Sequence, residues 1–301
     1  MGESKSARDA GCAKVKKPFK WFGGKGRNLK RILPYIPIGG NPYVEPYAGS
    51  LAVLLARQPA PTEVANDIDD RIINFFRTIQ NQDTLNELMA LLRQTMYSRA
   101  EYVRAIQLLN FNTAPVLRAW GGVVALNQGF AGHFMVCSGG WGRDLVYFSN
   151  AKAWYNKLDN LHCAAQRLSN VKFECRDGVD CILEHDNPDA VIYVDPPYVM
   201  ESRKNKGKRY RFEIDDYDKI ITTILACKGA VVLSGYDHPL FNRLTDNGWH
   251  KIQFDYTLSS VGRIRISKYR GSGNVVREHK IKECIWLNKV AVERNAIQKA
   301  F

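Results

Sequence analysis

The sequence predicts a doubly wound, mostly parallel α/β sheet interrupted by one inserted region. Three observations lead there. Short apolar, β-branched runs alternate with helical stretches in the first quarter and again in the second half of the chain. A glycine-containing loop joins the first such run to an apolar helix, as in the opening half of a nucleotide-binding βαβ unit. Between the two alternating parts lies a long helical pattern and then a stretch, Trp120 to Phe148, in which glycines among aromatics break that regularity. At 301 residues the chain has room for one large domain with a subdomain, or for two modest domains. The expected division is a tail at 1–17, a sheet domain over 18–80 and 150–301, and a mainly helical, loop-rich insert over 81–149.

Met1 to Lys17 is polar and basic, has no apolar h-region, and reads as a disordered tail. Its first six residues fit a myristoylation pattern formally, which in such a tail reads as coincidence. Order is expected from Pro18, where Phe19, Trp21, Gly23, Gly24, Lys25 and Gly26 form a glycine-rich turn before a helical stretch, Asn28 to Leu33. The glycines allow close backbone approach to a ligand, and Lys25 suits a carboxylate or phosphate. Tyr43 and Val44 then lead into the loop Glu45 to Ser50 and the helical run Leu51 to Ala56. A second strand, Thr62 to Ala65, delivers Asn66 and Asp67. An acid about 20 residues beyond the glycine loop is where ribose hydroxyls are met in such folds; as a purely structural residue, Asp67 would cap the helix starting at Ile68.

From Ile68 to about Leu109 the apolar spacing is helical, and a helical run resumes over Ala151 to Leu168. The alternation then returns: strand Val171 to Glu174, a turn at Asp177 and Gly178, helix Val179 to Leu183, strand Ala190 to Val194, helix Tyr217 to Ala226, strand Ala230 to Leu233, a helix near Pro239 to Leu244, and closing strands Trp249 to Tyr256 and Ile281 to Leu287.

The net charge of +13 and pI near 9.4 favour a polyanionic partner, above all nucleic acid. No run approaches transmembrane length. The seven cysteines are scattered without a C-x-x-C pair or zinc-like spacing, so a reduced, cytoplasmic protein with packing cysteines and no metal is expected.

The densest chemistry lies at Asp195, Pro196, Pro197 and Tyr198, directly after the apolar run 190–194. Two prolines force an extended loop at a strand's C-terminal edge, where open α/β sheets bind ligands. A carboxylate, proline carbonyls without competing N–H groups and an aromatic ring suit the capture of an exocyclic amino group on a planar base. Four residues alone fit a proline-rich turn equally well. Just beyond, Arg203, Lys204, Lys206, Lys208, Arg209 and Arg211 form an acid-free basic run suited to phosphate contact, and a second basic stretch spans Arg263 to Lys282.

With these residues in hand, the chain resembles the D12 class of N6-adenine DNA methyltransferases. Pro18 to Lys25 is similar to that family's K-W-x-G-G-K motif, Tyr43 to Ser50 to its V-E-P-F-x-G motif, Asn66 and Asp67 to its acidic motif, and Asp195 to Tyr198 to its catalytic loop. Their order is that of the family's alpha arrangement. Leu233 to Tyr236 and Glu283 to Asn288 have family-like counterparts, and Leu51 stands where many relatives carry a second glycine. The resemblance implies a Rossmann-like methyltransferase sheet, S-adenosylmethionine as donor and double-stranded DNA as partner. It implies that Trp21, Lys25, Glu45, Tyr47, Gly49, Asp67, Asp177 and Asp195 surround the donor, with Trp21 packed on it, Lys25 at its charged end or the surrounding loop, Asp67 on the ribose hydroxyls and Asp177 beside its adenine. Asp195 and the Pro196 carbonyl would hold the target N6, with Pro197 shaping the loop and Tyr198 stacked on a flipped base. Cytosine N4, adenine in RNA or a glutamine side chain are the alternative amino groups, and a catalytically silent nucleic-acid-binding module is the rival from another class. Target sequence, oligomeric state and any restriction partner are not legible; a monomer, bacterial or phage-encoded, is compatible with all of this.

Overall fold

The structure is a computed structural model that describes residues 15, 17–19, 21, 24–110, 114–129, 141–142, 154, 158, 160–198, 214–257 and 280–300. Seven strands, β1 (Tyr43–Glu45), β2 (Glu63–Asn66), β3 (Val171–Glu174), β4 (Val191–Val194), β5 (Ala230–Tyr236), β6 (His250–Thr257) and β7 (Lys280–Leu287), form one sheet in the order β3-β2-β1-β4-β5-β7-β6. β1 to β5 run parallel, and β7 is antiparallel to both β5 and β6. This is the doubly wound, Rossmann-like sheet that the resemblance implies.

The strand sequences read as continuous apolar runs because both faces of the sheet are covered. Tyr43, Val191, Tyr193, Ala230, Val232 and Ile285 enter one core; Val44, Ile192, Val194, Val231, Leu233 and Trp286 enter the other. With a side-chain period of two, neither face could accept a polar set without leaving a core open. The second core is closed by helices Gly178–His185, Ile214–Leu225 and Asn242–Asp246. The first is closed by short helices α1 (Leu29–Ile32) and α2 (Ala52–Ala56), by the helical layer described next, and by Asn160–Leu168 and Lys289–Ala300.

The helical pattern from Ile68 to Leu109 resolves into three helices: α3 (Asp70–Gln80), α4 (Gln82–Gln94) and α5 (Arg99–Asn110). Side-chain caps make the breaks. Asp69 accepts from the Arg71 amide at 3.1 Å and so starts α3, while the Asn81 side chain accepts from the Asp83 and Thr84 amides and starts α4. The structural role suggested for Asp67 therefore belongs to Asp69.

The loop-rich reading of Trp120 to Phe148 fails over its first part. Helix α6 (Pro115–Gln128) runs straight through Trp120, Gly121 and Gly122, with all three buried. The glycines there serve helix contact rather than a turn: a Cβ on Gly121 would lie 2.8 Å from the Ala105 carbonyl oxygen of α5. Residues 130–140 and 143–150 lie outside the described residues, as does most of 151–159, the first half of the helical run predicted over Ala151 to Leu168; there Trp154 and Leu158 are buried. Cys175, Cys181, Cys227 and Cys284 are free, but Cys163 is disulfide-bonded, against the expectation that all seven are reduced. Among the described residues no helix is long and apolar enough to cross a membrane.

Candidate active site

Strand order reverses beside β1 while the strands stay parallel: β2 and β3 extend the sheet to one side, β4 and β5 to the other. A crevice therefore opens outside the C-terminal ends of β1 and β4, the position at which such sheets bind ligands.

Asn66, the last residue of β2 and fully buried, holds one wall together. Its side chain donates to the Pro46 carbonyl at 2.9 Å and the Arg176 carbonyl at 3.0 Å, and accepts from the Arg176 amide at 3.0 Å. Its own carbonyl accepts from the Ala48 amide at 2.7 Å. The loops after β1, β2 and β3 thus share one side chain. Asn66→Ala leaves those backbone groups unpaired in a buried place and is expected to destabilise the fold by about 2–4 kcal/mol. Urea titration checks this; a loss near zero would mean that the loops are held otherwise.

Asp67 follows. Its carboxylate accepts from the Gly49 amide and from the Asp69 amide, each at 3.0 Å. Burial pushes it up to about 6, and those two bonds hold the rise back. Gly49 has φ 48°, and a Cβ there would sit 2.7 Å from the Trp21 indole nitrogen, so Trp21 lies directly over the loop. Leu51 is also left-handed, at φ 51°, and fully buried. That conformation is one in which glycine is favoured over a residue with a side chain. Tyr47 packs against Gly178, where no side chain would fit, and Asp177 caps the following helix by accepting from the Val179 amide at 2.8 Å. Trp21, Tyr47, Gly49, Asp67 and Asp177 therefore gather around one edge of the crevice.

On the other edge Asp195 emerges from β4. Lys25 reaches both carboxylate oxygens, at 2.5 and 2.6 Å, and the Ser234 hydroxyl donates to Oδ1 at 2.9 Å. Ser234 in turn bonds the Tyr193 hydroxyl at 3.0 Å. The Lys25 ammonium also lies 4.4 Å from the centre of the Tyr198 ring. Lys25, expected at the donor's charged end or the surrounding loop, is thus seated on Asp195 and buried there. The Tyr198 hydroxyl donates to Glu283 at 3.1 Å, its ring meets Tyr236 edge-on at 4.4 Å, and Asn28 donates to the other oxygen of Glu283. The Tyr217 hydroxyl donates to the Pro197 carbonyl, whereas among the described residues no donor reaches that of Pro196.

Glu45 is buried at the end of β1, where its carboxyl accepts from the Tyr43 hydroxyl at 2.8 Å. Burial pushes it up to about 8; the Tyr43 bond opposes the rise and the charge on Asp195 adds to it. The folded protein keeps this proton to about pH 8, while the unfolded chain releases it near pH 4.5. The unfolded state then binds fewer protons across that window, so this group makes stability fall as pH rises through it. Glu45→Gln keeps an uncharged acceptor for Tyr43 and is expected to gain on the order of 3 kcal/mol over the parent at pH 8, with little gain at pH 4.5. Denaturant titration at both values reads the difference, and an equal effect at the two would contradict the assignment.

Asn28, Tyr193, Ser234, Tyr236 and Glu283 carry no assigned role in the sequence reading. The signal was present in part: Glu283 is an acid inside an apolar closing strand, and Ser234 ends an apolar run. Arg203, Lys204, Lys206, Lys208, Arg209 and Arg211 lie outside the described residues, as does most of the second basic stretch.

No curated protein sequence matches the chain. Among solved structures, a protein from Pyrococcus horikoshii described as a candidate RNA methyltransferase shares 9% identity, with 92% of this chain and 90% of that one covered, at a TM-score of 0.35. The family model of the D12 class N6 adenine-specific DNA methyltransferases matches residues 21–260 in one span. That span holds Trp21 and Lys25, the loop after β1, Asp67 and the Asp195 loop together, and the chain belongs to that class.

Proposed function

We propose that this enzyme transfers a methyl group from S-adenosylmethionine to N6 of an adenine flipped out of double-stranded DNA. The observation that carries the reading is the crevice itself: an acid-and-glycine edge built from Gly49 and Asp67 faces an amine-accepting edge built from Asp195, Pro196 and Tyr198. The first edge fits the donor. Asp67 spends one lone pair on each backbone amide and keeps others for ribose hydroxyls. With its carboxyl pushed only to about 6, it is ionised at neutral pH and accepts without donating. S-adenosylmethionine supplies an electrophilic methyl group on a sulfonium sulfur.

The chain's own residues act on the adenine. In a duplex N6 is buried by pairing and stacking, so the base must leave the helix to reach Asp195. Asp195 and the Pro196 carbonyl accept the two N6–H bonds, which turns the nitrogen lone pair towards the methyl carbon. As the N–C bond formed, the bond from that carbon to the donor's sulfur would break, leaving the sulfur as a neutral thioether, and N6 would give up one proton, for which Asp195 is the acceptor at hand. Tyr198 stacks on the base, its hydroxyl tied to Glu283 so that the ring keeps one orientation. Such positioning supplies several kcal/mol of barrier lowering. Residues 81–149 select the target context, and the basic run from Arg203 to Arg211 holds backbone phosphates.

Incubation with labelled donor and varied DNA, followed by nucleoside analysis, tests the reading. Label in N6-methyladenine is expected. Label only in cytosine or only in RNA would transfer the mechanism to another amine. No label on any nucleic acid, with donor demonstrably bound, would sink it.

A further inference from the structure

We propose that Glu174, Cys181 and His185 form a binding site for a zinc-type divalent cation at the β3 edge of the sheet. The cysteine spacing shows no zinc pattern because the set mixes three residue types from a strand and a helix. Cys181 and His185 stand four apart on the helix Gly178–His185 and so share a face; Glu174 ends β3 just before it. Their ligand atoms all lie within 4.8 Å of one another, with His185 Nε2 2.8 Å from Glu174 Oε1. Tetrahedral zinc with bonds of about 2.0–2.3 Å sets its ligand atoms roughly 3.3–3.8 Å apart. Small side-chain rotations reach that spacing.

A plain Glu174–His185 hydrogen bond accounts for part of this cluster and leaves the rest unexplained. The second oxygen of Glu174, Oε2, is buried without a hydrogen-bond partner. Its nearest cation, Arg176 Nη1, stands off at 4.0 Å on a half-exposed side chain that can swing into solvent. Cys181 is free, fully buried and points its sulfur at the same spot. One carboxylate and one thiolate neutralise a divalent ion, and neutral imidazole adds the third ligand, which suits a partly buried place. Burial pushes the Cys181 thiol up to about 12, with the Glu174 charge adding to the rise, so an arriving cation must displace that proton. The bound ion would clamp β3 to the helix and fix the intervening turn, which carries Arg176 against Asn66 and Asp177 as the helix cap.

The test uses the full chain, stripped with a chelator and titrated with zinc against a chromophoric competitor, then with cobalt(II). One equivalent is expected per chain, with a thiolate-to-cobalt absorption band and a thermal midpoint raised by zinc. Cys181→Ser should remove the band, and both it and His185→Gln should weaken zinc binding at least about tenfold, while Cys175→Ser changes neither. If Cys181→Ser fails to fold, Glu174→Gln supplies the comparison without altering a fully buried side chain. Absence of a bound equivalent, or an equivalent that survives all of these substitutions, overturns the proposal and leaves the methyl-transfer reading untouched.

Discussion

Asp195→Ala is expected to lower methyl transfer roughly 10²–10⁴-fold while nonspecific DNA binding stays near the parental level. Loss of the carboxylate removes the acceptor for N6 and leaves Lys25 buried without the ion pair it makes at 2.5 Å. That second consequence threatens the fold, because removing one member of a buried ion pair is costly. Asp195→Asn separates the two effects. It keeps a carbonyl acceptor and the shape of the side chain, so it should fold better than the alanine variant yet remain severely impaired. Single-turnover transfer and DNA gel shifts on both variants read the outcome. If both variants lose DNA binding together with activity, Asp195 is a structural residue and the catalytic assignment is wrong.

Asp67→Ala is expected to act on the donor instead. Hydrogen bonds between an ionised carboxylate and two hydroxyls are worth about 1.5–3 kcal/mol each, so losing both should lower donor affinity roughly 10²–10⁴-fold, with kcat changed much less. The substitution also frees the Gly49 and Asp69 amides from their acceptor. Asp67→Asn, which retains one carbonyl oxygen, should recover part of the loop but not the full donor affinity. Calorimetric titration with S-adenosylmethionine decides the matter: unchanged affinity in both variants would place the donor elsewhere.

Legibility in the sequence followed the range of the interactions. The strands of the doubly wound sheet were readable because burial on both faces writes unbroken apolar runs, and β3 and β4 were located nearly to the residue. Asp67 and Asp195 were readable because chemistry-bearing acids at strand ends stand out against such runs. What could not be read was set by contacts distant in the chain. Helix α6 carries paired glycines that look like a turn until the carbonyl of Ala105 is brought against them. Lys25 and Asp195 are 170 positions apart, and Asn28 and Glu283 are 255 apart, so no local pattern records either pairing. Asn66 looked like a companion to the acid beside it, and its part in tying three loops together emerges only when β1, β2 and β3 lie side by side.

The antiparallel seat of β7 between β5 and β6 bears on how the chain is made. β5 is apolar and buried along nearly its whole length, yet one of its edges is paired by a strand synthesised far later. At about 5–20 residues per second, the stretch from Tyr236 to Lys280 takes about 2–9 s to appear. For that interval a nascent chain carries an uncovered hydrophobic edge, the kind that recruits other strands. Chaperone dependence during translation, greatest on ribosomes stalled between those two residues and absent once β7 has docked, follows from the sheet order alone.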